Sequence, residues 1–246
     1  MLKNLIAFFF FTLALHPSLA APERVLLAAE DDWYPYSAKI DEQAEGRSVD
    51  IVRAAYEAVG AELDLDVVAF NRGFIRTKEG RYAGVFNAGI NNEVRRNYLI
   101  PRNTIALSEQ LVVARLGEPF QNRQSFNNKR LTLTLGYTYP TDITEDPRNQ
   151  VKRTVGDINN LRMIGAGRAD FTIIDRLVLL SIFKKEPELK QKLTIVGKLE
   201  PHKIYVLFSK TDDGRRALLL FDKGMDIIIR NGTLQKIVDT WEAKLR

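Results

Sequence analysis

The chain has 246 residues, 45% of them hydrophobic and 27% charged, with no cysteine and a formal net charge of +5. That is material for one large domain or for two lobes of roughly 100 residues each, and it excludes disulfides and a cysteine-borne lipid. Basic and acidic residues are interleaved, so the excess charge reads as solvated faces rather than a nucleic-acid surface.

Lys3 precedes the apolar run Leu5–Leu15, and Ser18-Leu19-Ala20 follows it. A charged start, an apolar core too short to span a bilayer and a small-x-small site predict a signal peptide over residues 1–20, cut after Ala20. The expected product is periplasmic and, having lost Lys3, carries a charge of +4. No later stretch approaches the roughly 18 apolar residues of a spanning helix.

Glu23–Ala29 predicts a buried strand, and it runs into the loop Glu30-Asp-Asp-Trp-Tyr-Pro-Tyr-Ser37, where Pro35 breaks regular structure. Its aromatic rings are either inward anchors or a wall for a ligand. Asp50 reads as the cap of a helix over 51–59 closed by Gly60. Residues 63–69 alternate as a strand, Phe70 opens a helix to Glu79, and 83–87 is a strand followed by a polar loop holding Glu93, Arg95 and Arg96. Residues 108–115 form another strand, and Gly117-Glu-Pro119 marks a boundary.

Beyond it, Arg130–Leu135 alternates as a strand and ends in the aromatic turn Gly136-Tyr-Thr-Tyr-Pro140; 141–153 is polar and irregular. Asp157 reads as a cap for a helix over 158–165. The stretch Gly165–Asp175 then gives a helix end, a glycine stop, an apolar strand and a carboxylate at the strand end, where open α/β sheets carry their ligand groups. Glu79–Asn87 is a weaker echo of that unit. A helix over 177–185, strands over 193–199 and 204–209, a long helix over 215–230 and a last helix from Thr233 that includes Trp241 complete the chain. The order predicts a first lobe over 21–114, a second over 115–201 and a return to the first over 202–246. Two crossings, near 115 and 201, make a two-strand hinge suited to closure on a ligand.

The strand–Asp-Trp-Tyr-Pro-Tyr-Ser loop, Arg47-Ser-Val-Asp-Ile51, Phe70 with its helix, Glu93-Val-Arg95, Gly136-Tyr-Thr138, Gly167–Asp175 and Asn231-Gly-Thr…Trp241 together resemble the bacterial extracellular solute-binding proteins of family 3, the polar amino-acid type. The resemblance covers residues 25 to 244. It implies the α/β, two-lobed periplasmic binding protein type II fold, each lobe a mixed sheet flanked by helices. It also implies ligand roles: Arg95, with Arg96 in reserve, forking onto a ligand carboxylate; Asp175 holding an ammonium group; Trp33 and Phe70 sandwiching the ligand; Thr138 donating from the second lobe; and Asn87 standing where the family often offers a serine. Asp175 reads equally as the N-cap of the following helix. Ala83 and the run Asn92-Glu-Val-Arg95 depart from the family pattern.

The function expected is capture of a small zwitterionic solute, an amino acid or a close relative, by a monomer that delivers it to an ABC transporter permease. A cyclohexadienyl-dehydratase-like enzyme using Glu30 or Glu93 is the alternative, and an orphan sensor or partner-binding protein is the third class. No metal-ligand spacing, Gly-x-Ser-x-Gly or phosphate loop occurs, so no metal, cofactor or nucleic-acid partner is expected.

Overall fold

The computed structural model describes residues 22–245; the expected signal peptide lies outside the described residues. The chain begins with β1 (Arg24–Glu30), then a small antiparallel sheet of β2 (Asp32–Trp33), β3 (Ser37–Ile40) and β4 (Gln43–Glu45). Next come α1 (Arg47–Glu57), β5 (Glu62–Val68), α2 (Phe70–Lys78), β6 (Gly84–Ala88), α3 (Asn92–Asn97) and β7 (Ala106–Ser108). The middle of the chain supplies β8 (Gln110–Arg115), β9 (Arg130–Thr134), α4 (Thr141–Thr144), β10 (Gln150–Thr154), α5 (Asp157–Gly165), β11 (Phe171–Asp175), α6 (Arg176–Lys185), α7 (Pro187–Lys192) and β12 (Leu193–Lys198). Strand β13 (His202–Phe208) and helices α8 (Asp212–Arg230) and α9 (Thr233–Leu245) end it.

Two five-stranded mixed sheets result, ordered β5-β1-β6-β13-β7 and β10-β9-β11-β8-β12. In each, the first three strands are parallel and the last two join antiparallel. The two Gly-Arg units therefore end at equivalent strands, β6 and β11. Gly80 and Gly167 both take the left-handed conformation that stops the preceding helix (φ 79° and 69°).

The first crossing falls at Glu109, between β7 in the first sheet and β8 in the second; the sequence places it near residue 115. One extended run serves both sheets, because β7 pairs with β13 while β8 pairs with β11 and β12. The return crossing lies between Lys198 and His202, close to the expected position.

Other departures have local causes. Helix α1 starts at Arg47, because Gly46 takes φ 143° and lies so close to Tyr36 that a Cβ would meet its carbonyl oxygen at 2.3 Å. Asp50 is thus inside the helix and accepts from Trp241 Nε1 at 2.7 Å, tying α1 to α9. The polar stretch after Pro140 contains the edge strand β10, whose residues are half or fully exposed and so lack an apolar face.

The first lobe buries Tyr56, Phe86, Phe208 and Phe221; the second buries Phe126, Phe171, Leu131 and Leu133. Each such side chain contributes roughly 1.5–3 kcal/mol. Helices α1 and α8 pack tightly: Tyr56 donates its hydroxyl to the Ala217 carbonyl at 3.0 Å, and Gly224 sits directly on the Ala55 backbone.

Candidate functional site

The strand ends of both sheets face one another across a cleft. Trp33, Phe70, Asn87, Thr138 and Asp175 line the same cavity, with Ser108, Gln110, Tyr137, Tyr139, Asp157 and His202. Trp33 ends β2 and stacks on Tyr36 at 4.2 Å between centroids, with Arg47 over the Tyr36 ring at 4.5 Å. Phe70 opens α2 and stacks on Phe74 at 5.8 Å. These are the two walls expected of a ligand sandwich.

Between them lies a residue of the second lobe. Tyr137 meets Phe70 edge-on at 5.5 Å and Trp33 edge-on at 6.1 Å. Its hydroxyl donates to Glu30 Oε1 in a short hydrogen bond. Glu30, the last residue of β1, is 3% exposed, and burial raises its carboxyl well above the usual carboxylate range. Asn87 Nδ2 donates to Glu30 Oε2 at 3.3 Å, while Asn87 Oδ1 is buried without a partner. Asn87 itself sits at φ 72°, a left-handed conformation that asparagine tolerates better than most residues.

Asp175 is the N-cap that one of its sequence readings expects, and it also lines the cavity. One oxygen caps α6, accepting from the backbone N–H of Leu177 (2.8 Å) and Val178 (3.3 Å). The other accepts from Ser108 Oγ (2.8 Å) and, across the lobes, from the Tyr36 hydroxyl (3.1 Å). Burial raises this carboxyl too. Asp157 is not the cap of α5 but its first residue, following Gly156; its Oδ1 accepts from Thr134 Oγ1 at 2.5 Å. Burial, reinforced by the charges of Asp32 and Asp175, pushes it up to about 7. Burial lowers His202, so it is neutral at neutral pH.

Arg95 is not brought to the cleft. Helix α3 buries Val94 and leaves Glu93, Arg95 and Arg96 exposed, and none of them lines the cavity. No lysine or arginine is among the lining residues. Arg72, Arg76 and Arg81 stand on and just after α2 around a wider outer opening that also includes Glu30, Asp31, Asp32 and Tyr137. Tyr137 and Asp157 were not expected in the cleft, and Glu30 was expected there only as the acid of the enzyme alternative. Tyr137 had a signal, an aromatic in the turn after β9; Asp157 had only its resemblance to a cap.

The lobes touch closely. A Cβ on Gly156 (φ 73°) would lie 2.7 Å from Asp32 of the first lobe, and one on Gly136 (φ 84°) 3.2 Å from Asn71. Glycine at these turns lets the two faces meet. Among the described residues no group of acidic and histidine side chains has metal-site geometry, and no helix is long and apolar enough to cross a membrane.

The fold recurs among solved structures. A histidine kinase sensor domain with similarity to periplasmic binding proteins superposes with a TM-score of 0.79 at 17% identity, covering 89% of this chain and 96% of that one. An ancestral arginine-binding protein bound to arginine gives 0.76 at 19%, covering 89% and 97%. The arginine-, lysine-, histidine-binding protein ArtJ from Geobacillus stearothermophilus gives 0.77 at 16%, covering 89% and 95%. No curated protein sequence matches the chain at a significant level. Residues 25–244 match the bacterial extracellular solute-binding proteins, family 3, and with nearly the whole chain inside that match, the protein belongs to this family.

Proposed function

We propose that the protein captures a small amine-bearing solute between its lobes and hands it to a membrane partner, without turning it over. The observation that carries this reading is the cavity between the two sheets, walled by Trp33 and Phe70 of the first lobe and lined by the buried carboxyl groups of Asp157 and Asp175 from the second. Burial of a ligand there strengthens its charge interactions relative to water, and closure about the two crossings near Glu109 and Pro201 supplies the burial. The apposed glycines at the lobe interface support such closure. Amino acids, the solutes named for several structural relatives, are the first candidates.

The expected signal peptide supports a periplasmic site of action, with an ABC transporter permease as the partner. A sensor is the second reading, favoured by the likeness to a kinase sensor domain. The test is native mass spectrometry of protein purified without unfolding, followed by a thermal-shift panel of amino acids and amines. A retained small mass or a saturable shift supports capture. An empty protein that no compound stabilises overturns it.

A further inference from the structure

The position of Tyr137 describes the ligand. An aromatic ring stands between Trp33 and Phe70, and a hydrogen-bond donor on that ring reaches buried Glu30. With Tyr137 there, the inner cavity holds only about 30 Å³, room for a water or two. A solute can enter only if Tyr137 leaves, and it would inherit both the aromatic slot and the carboxylate. Tyr137 is placed to leave: it sits on a turn of the second lobe, next to Gly136 in a left-handed conformation.

The polar groups around that slot favour one charge. Glu30, Asp157 and Asp175 are buried carboxyl groups, and Asn87 adds a carbonyl oxygen. Asn87 is 7% exposed and lines the cavity, and its amide is oriented by the bond to Glu30, which leaves Oδ1 as an acceptor with no donor. An unpaired buried acceptor costs stability, so its natural complement is an N–H from the ligand. Asp175 already accepts four hydrogen bonds, which leaves Glu30, Asn87 and Asp157 as the receiving groups.

No lysine or arginine lines the inner cavity to pair with a carboxylate, for which a guanidinium or ammonium is the strong partner. Arg95 and Arg96 are exposed on α3. Arg72, Arg76 and Arg81 stand around the outer opening and do not line the inner cavity; Arg76 serves Tyr82 and Arg81 pairs with Glu79.

We propose that the cleft selects a compact organic cation, an amine with a flat apolar body and no carboxylate, and that the Tyr137 side chain stands in for it when the lobes are shut. The inference rests on the solute-capture reading and narrows it. Isothermal titration calorimetry of the purified protein with matched pairs tests it: tyramine against tyrosine, phenethylamine against phenylalanine, agmatine against arginine. At least one amine should bind about tenfold or more tighter than its amino acid, because only the amino acid brings an unpaired carboxylate into a buried site. Glu30→Gln should weaken that amine by about tenfold, and Tyr137→Ala should tighten it by removing the competing occupant. Tyr137→Phe, which keeps the ring and drops the hydroxyl, should tighten it less, and it carries the test if the alanine variant fails to fold.

Equal or tighter binding of the amino acids overturns the proposal and leaves solute capture standing. Amine binding indifferent to Glu30→Gln also overturns it. Silence from every compound, with wild type and both Tyr137 variants alike, overturns this proposal, and solute capture falls with it only if the native mass spectrum and the thermal-shift panel are blank as well.

Discussion

Replacing Asp157 by asparagine should make the protein more stable at neutral pH and leave it nearly unchanged in mild acid. Asp157 is 4% exposed at the start of α5. Its folded carboxyl titrates near 7 against an ordinary value of 3.8, burial being the largest cause. With a folded value raised above the unfolded one, the folded chain holds more protons than the unfolded chain between those two pH values. Stability therefore falls as pH rises through that window and is flat on either side of it. A separation of about 3 pH units at 1.36 kcal/mol each corresponds to a loss on the order of 4 kcal/mol. Asparagine cannot ionise, yet it keeps an acceptor for Thr134 Oγ1, so the variant escapes the loss. Urea unfolding of both proteins at about pH 4.5 and about pH 7.5 measures it: the advantage of Asp157→Asn should grow by about 2–4 kcal/mol between the two. A difference constant to within about 0.5 kcal/mol across that range would refute the reasoning. The same variant removes one of the carboxylates proposed to receive the ligand, so a gain in stability together with a loss of amine affinity is the combined signature.

Two further outcomes follow from packing and placement. Gly224→Ala would put a Cβ 1.8 Å from the Ala55 carbonyl oxygen, where only separation of α1 and α8 can relieve it. The overlap should outweigh the helix propensity gained and cost about 3 kcal/mol, roughly 6–12 °C in Tm by scanning calorimetry; an unchanged Tm would show that the helices part freely. Arg95→Ala, on the exposed face of α3, should alter stability by no more than about 0.5 kcal/mol and solute affinity by less than about twofold. A tenfold loss of affinity in the same titrations would instead return Arg95 to the site.

Much of the architecture was legible in the chain because it depends on local chemistry. The apolar run Phe171–Ile174 is buried on both faces as its composition requires, Gly167 ends α5 in the left-handed conformation, and the polar side chain of Asp175 caps the helix that follows it. Trp33, Phe70, Asn87, Thr138 and Asp175 were implied as ligand residues by the family resemblance, and they line one cavity. The strand, the glycine stop and the cap need only neighbours within a few residues, and the carboxylate of Asp175 at a strand end needs only the rule that strand ends carry ligand groups; the other site residues needed the family pattern.

What the chain alone could not decide is set by residues far apart in it. Whether 108–115 is one strand or two depends on which partners compete for its backbone hydrogen bonds, and its residue types are extended-chain formers either way. Arg95 lies beside Val94, and the phase of a helix of six residues decides which of the two turns inward; burial of the apolar side chain wins. The meeting of Glu30 with Tyr137 spans 107 positions and exists only because the two sheets close on each other. Local propensity therefore settled which elements form and what ends them. Only the packing of one lobe against the other decided which side chains share the cleft and what charge it presents, because burial raises those carboxyl groups and no residue carries its burial in its own identity.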